Sequence, residues 1–64
     1  MSLYDYNMSQ DIAANDYPFY ALIMAAMRKA DSNNLARLEA VFPGTAEELR
    51  HRYNAPEGKL IGER

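Results

Sequence analysis

Asp5, Asp11 and Asp16, with Glu47, Glu48 and Glu57, are the side chains that could do acid–base chemistry in this 64-residue chain. A catalytic carboxylate pair needs two such groups held together in a pocket, one as acid and one as base. No spacing here joins any two of them. Each has an ordinary role available as a helix cap, a dipole partner or a solvated charge. His51 is the lone histidine and there is no cysteine, so disulfides are excluded and zinc has no recognisable ligand set. The expectation is a protein that is not an enzyme, with no catalytic residue, metal or cofactor.

The elements that would carry any site begin with an apolar run. Residues 17 to 27, Tyr-Pro-Phe-Tyr-Ala-Leu-Ile-Met-Ala-Ala-Met, contain no charge. The run is well short of the roughly 20 residues that span a bilayer. No basic region precedes it and charge rather than a cleavage site follows, so it does not read as a targeting segment. The expectation is a cytoplasmic protein that does not enter the membrane. The run is instead the centre of a helix starting near Asp16, which can cap it, with Pro18 in the first turn. Phe19, Leu22, Ile23, Ala26, Met27 and Ala30 share one face, Tyr20 and Met24 a second. Ala21, Ala25 and Ala26 are small enough for another helix to approach closely.

Three further helices can be argued. The first runs from Leu3 to Ala14, with Ser2 and Asp5 in a capping arrangement and a Tyr4, Met8, Ile12 stripe. The third follows a turn and cap at Asp31-Ser32-Asn33-Asn34 and places Leu35, Leu38, Val41 and Phe42 at helical spacing. Pro43-Gly44 stops it. Thr45-Ala46-Glu47-Glu48 then reads as a capping box opening a fourth helix to Asn54. Pro56, Gly58 and Gly62 make the remainder irregular, with Leu60-Ile61 able to dock back. The expectation is an all-α compact bundle of three to four short helices, one domain over residues 1–54 and an irregular tail over 55–64. Helices 1, 3 and 4 are all expected to lie against helix 2. A chain this short buries only about 60% of its unfolded surface, so packing quality and self-association are its remedies.

Charge distribution separates the two halves. Residues 1–27 carry three aspartates and no lysine or arginine, −3; residues 28–64 carry seven basic and six acidic groups, +1. The five tyrosines are a type enriched where one protein meets another. Tyr4 and Tyr6 stand about 200° apart on a helix, so at least one must face solvent. Tyr4, Asp5, Tyr6, Asp11, Asp16, Tyr20 and Met24 are therefore the partner-binding candidates, the tyrosines as anchors and the aspartates as phosphate-like charges. The methionines have the plainer role of filling core gaps, with Met24 the exception.

An alternative places helices 3 and 4 on DNA as a helix-turn-helix-like pair, using Arg37, Arg50 and Arg52. Glu47 and Glu48 sit at the end that would enter the groove and oppose this, so direct nucleic-acid binding is disfavoured. A second alternative is a structural homodimer paired through helix 2, and the chain is expected to be a monomer or a homodimer.

The stretch Asp16 to Asp31, followed by Asn34-Leu35, Phe42-Pro43, Glu48-Leu49 and Arg52-Tyr53-Asn54-Ala55-Pro56, resembles small proteins of bacterial phages and mobile elements. That group carries no assigned active site, so no residue role is transferred. The resemblance implies an accessory protein that inhibits host machinery, anti-CRISPR proteins being the most specific class of that kind. With the acidic, tyrosine-rich half, the expectation becomes an inhibitor that blocks a nucleic-acid-binding host complex.

Overall fold

The computed structural model describes residues 1–60 and 62–63, and among them the chain is all-α, with no strand. Its helices are α1 (Leu3–Ala14), α2 (Phe19–Lys29), α3 (Ser32–Val41) and α4 (Pro43–Asn54), followed by a single 3-10 turn at Pro56–Gly58. Ile61, half of the expected tail anchor, lies outside the described residues; Leu60 is half-buried.

Two of the helix starts follow from side-chain caps. The Asp5 N–H donates to Ser2 Oγ at 3.1 Å, and the Asn34 N–H donates to Asp31 Oδ1 at 2.8 Å. Each satisfies one of the donors that a helix amino terminus leaves unpaired. The other two starts differ from the sequence expectation. Asp16 does not cap α2. Pro18 is the residue before the first helical turn, and the Leu22 N–H donates to its carbonyl at 3.2 Å. The cause is local: the residue before a proline is biased to extended backbone, so Tyr17 keeps Asp16 out of register with the helix.

Thr45 likewise caps nothing. It lies inside α4, which starts two residues earlier at Pro43. Proline suits a first helical position because its missing N–H would have gone unpaired there. A single hinge residue, Phe42 (φ −124°, ψ 61°), separates α3 from α4. Its N–H donates to Leu38 O at 2.8 Å and its carbonyl accepts from Ala46 N–H at 3.0 Å, so it closes one helix and opens the next.

Helices α2, α3 and α4 pack on one another, and the buried described residues, Met27 and Ala46, mark where they meet. Ile23, Met24, Leu35, Leu38 and Leu49 surround them half-buried. The Phe42 ring meets Phe19 and Tyr20 edge-on, with centroids 6.1 and 6.5 Å apart. Arg28 lies 5.6 Å over the Tyr53 ring and ties α2 to α4. Val41, expected in the core stripe, points out.

The fourth member behaves differently. Among the described residues α1 packs against no other element, and every one of its side chains is exposed. Its apolar residues explain this. At 100° per residue, Leu3, Tyr4, Tyr6, Met8 and Ile12 spread around most of the circumference instead of forming one buried stripe. The expected packing of helix 1 on helix 2 is thus corrected to a bundle of three helices with α1 standing beside it. The radius of gyration, 13.6 Å, exceeds the roughly 11 Å of a compact chain of this length.

The two aspartates near helix starts should separate in a thermal melt followed by circular dichroism. Asp31→Ala removes a working cap and should cost about 1 kcal/mol, whereas Asp16→Ala should change stability by no more than a few tenths. Equal losses would contradict the assigned start of α2.

Candidate interaction surface of α1 and α2

Two helix faces matter here, and both belong to α2. Ile23, Met27, Tyr20 and Met24 point into the bundle. The opposite side carries Ala21, Leu22, Ala25 and Ala26, of which the three alanines are exposed. Tyr20 and Met24 were expected to be partner-binding positions on the second face of α2. Instead, Met24 is half-buried and the Tyr20 ring turns to Phe42, because the α3–α4 hinge supplies an aromatic partner on that side. Tyr20 still shows 57% of its surface, so its outer edge remains available.

The open face of α2 and the carboxyl half of α1 form the two walls of a cleft. Ser9, Ile12 and Ala13 contribute one wall, Tyr17 the floor at the connection, and Ala21, Leu22, Ala25 and Ala26 the other. Lys29 closes its far end. The cleft holds about 680 Å³ and its walls are almost wholly apolar. A smaller hollow of about 240 Å³ lies between α2, α3 and α4, with the Arg50–Glu39 pair at its rim. Neither cleft nor hollow is lined by two carboxylates.

α1 itself is a well-terminated but uncovered helix. At its carboxyl end Asn15 donates twice, from its side chain to Asp11 O at 3.0 Å and from its N–H to Ile12 O at 3.1 Å. Tyr4 and Tyr6 are 69% and 61% exposed, so both face solvent where one had been required to. By helical rotation Tyr4 and Asp11 lie on the side away from the cleft, and Asp5 and Tyr6 nearer its mouth. Asp5, Asp11 and Asp16 form no ion pair among the described residues, so their charge is uncompensated.

The basic residues of the carboxyl half are placed otherwise. Arg50 pairs with Glu39 at 3.0 Å, and Arg37 reaches Asn34 Oδ1 at 3.5 Å. Arg52 is the most heavily engaged. Its guanidinium donates to both Glu63 oxygens at 2.7 Å, to Glu48 Oε1 at 3.1 and 3.2 Å, and to the Gly58 carbonyl at 2.9 Å. These bonds fold the tail back onto α4. Glu48, expected in the capping box, is thus a partner of Arg52. The hydrogen bonds from Arg52, then the Leu60 N–H, hold the Glu63 carboxyl down to about 2 from its ordinary 4.5, and the same carboxylates raise the Arg52 guanidinium. Two of the three arginines of the DNA-binding alternative therefore have their charge balanced within the chain.

Compared with known proteins, the chain matches no protein-family model, no curated protein and no solved structure. Among the described residues no helix is long and apolar enough to cross a membrane. Sequence reasoning identified the small residues of α2 as open to close approach by another helix, without saying which one. The signal it lacked was the scatter of apolar residues around α1.

The Arg52–Glu63 link makes tail docking pH-dependent. Because the folded Glu63 pKa is depressed, its contribution is fully present above about 4.5 and is lost as pH falls through about 2. An NMR titration should place the Glu63 carboxyl midpoint near 2 in the intact chain and shifted up toward 4.5 in Arg52→Gln, which keeps only the Leu60 N–H. A midpoint near 4.5 in both would remove the clamp from the fold.

Proposed function

We propose that this chain is a non-enzymatic protein–protein interaction module that presents α1 to a basic protein surface. In its most concrete form it is an inhibitor of phage or mobile-element origin, anti-CRISPR-like in action, that occupies the nucleic-acid-binding surface of a host complex. One observation carries the reading: among the described residues α1 bears exposed Tyr4 and Tyr6 and forms no ion pair through Asp5 or Asp11, yet packs against no other element. A helix so exposed contributes little to the fold. Its tyrosines offer large, rigid contacts with polar tips, the type that dominates interface energetics. Its aspartates, with Asp16 in the connection, form a negative surface that has no ion pair among the described residues, as a competitor for a phosphate-binding groove requires. Tyr20 extends that surface at the rim of the bundle.

The DNA-binding alternative has less support, because Arg50 and Arg52 are paired with Glu39, Glu48 and Glu63.

The reading is tested by affinity capture from bacterial lysate followed by competition with nucleic acid. Wild-type chain should retain a nucleic-acid-binding complex and be displaced by that complex's own DNA or RNA. Tyr4→Ala should weaken retention by about 1–3 kcal/mol. The combined Asp5→Asn, Asp11→Asn and Asp16→Asn variant should weaken it at least about tenfold and flatten its salt dependence. Undiminished retention of that triple variant would refute the acidic-surface reading.

A further inference from the structure

We infer that the cleft between α1 and α2 is filled by α1 of a second copy of this chain, the two copies interlocking as a symmetric dimer. The inference goes beyond the proposed interaction function and uses Met8 and Ile12 of α1, which continue the stripe that Tyr4 begins.

The first argument is one of area. The chain exposes 5613 Å², whereas a compact folded monomer of 7.3 kDa exposes about 4,200 Å². The surplus, about 1,400 Å² per chain, exceeds the roughly 800 Å² each partner gives to a standard interface and fits an obligate dimer. It cannot be assigned to a loose tail, since the tail is clamped by Arg52. α1, every side chain of which is exposed, contributes to it, as do the exposed Ala21, Ala25 and Ala26 of α2.

Shape gives the second argument. A helix about 10 Å across with a 5.4 Å pitch fills about 420 Å³ per turn, so a cleft of about 680 Å³ receives about a turn and a half. One wall is made of Ala21, Ala25 and Ala26, which permit close approach of a backbone. The chain itself carries the matching ridge, Met8 and Ile12 on α1.

The third argument selects a second copy over a foreign helix. A foreign helix would fill the cleft and cover Ile12 in its wall, yet leave Met8, one turn earlier on α1 and outside the lining, exposed. Two copies exchange ridge and cleft in both directions, so a single two-fold contact covers both faces. Charge agrees: Lys29 closes one end of the cleft, and Asp5, on the cleft side of α1, forms no ion pair among the described residues. Self-association is also the remedy open to a chain with so few fully buried side chains.

Sedimentation and native mass spectrometry of the full chain test this without any partner for the acidic surface, so the outcome is independent of the proposed function. Twice the 7.3 kDa chain mass is expected at micromolar concentration, falling to one chain on dilution. Ala21→Glu and Ala25→Glu, at positions exposed in the single chain, should each raise the dissociation constant at least about tenfold with helicity retained. Because the chain has no cysteine, an Ile12→Cys copy mixed with an Ala25→Cys copy provides a second readout. Under oxidation the mixed pair should cross-link faster than either variant alone. A single-chain mass throughout the micromolar range overturns the inference, even if a foreign helix later fills the cleft. A dimer indifferent to both glutamates, or cross-linking no faster in the mixture, overturns it equally.

Discussion

The whole structure turns on the burial of α2, a helix apolar on two opposite sides in a chain too short to cover both. α3 and α4 contribute Leu35, Leu38, Phe42, Ala46 and Leu49, which suffice for the side bearing Ile23 and Met27. Nothing comparable remains for the side bearing Ala21 and Ala25. Burying that side against α1 would require α1 to present a single apolar stripe, and its composition does not. The division between a packed bundle and an open cleft follows from this shortage, and so does the large surface of the molecule.

Phe42 decides which side of α2 is satisfied. As the only residue between α3 and α4, it directs both helices onto the same side of α2. Its ring then meets Phe19 and Tyr20 at the start of that helix. Edge-to-face aromatic contacts of this kind are worth about 0.5–1.5 kcal/mol beyond the area they bury. That bias turns Tyr20 and Met24 inward and leaves the alanines outward. A hinge of one residue also explains why the connection is tight: Pro43 resumes the helix at once, with no loop in between.

Much of this was legible in the residues. Ser2 before Asp5 and Asp31 before Asn34 are caps whose geometry depends on neighbours three residues away, and both occur in the structure. The three-residue spacing of Leu35 and Leu38 marks residues that are half-buried. Thr45 misled because a capping box competes with a proline at the first helical position, and here the proline prevails. Asp16 misled because the extended bias before Pro18 acts on the backbone, out of sight of any side-chain pattern. Arg52 could not be placed from local spacing alone, since its partner Glu63 lies beyond the turn at Pro56–Gly58, where Glu57 adopts a positive φ of 55°. The candidate surface was partly legible: the tyrosines and aspartates of α1 were singled out, whereas which side of α2 stays open depends on where α3 and α4 settle, and no pattern on α2 itself reports that.

An uncovered helix raises a question of its own stability. Isolated helices of 12 residues are marginal in water, even with good propensities, because nucleation is costly and few hydrogen bonds repay it. α1 has 12 residues, with a cap at one end and Asn15 closing the other. Those caps contribute on the order of 1 kcal/mol each, which offsets part of the nucleation cost without packing. The bundle, by contrast, needs nothing from α1: Met27 and Ala46 are buried by α2, α3 and α4 alone. The least stable elements of a fold are the ones free to rearrange on binding. α1 is the element whose order is tied to what lies against it. The same residues that keep it from packing at home, an apolar surface spread around the helix with two unpaired carboxylates, allow it to face two neighbours at once.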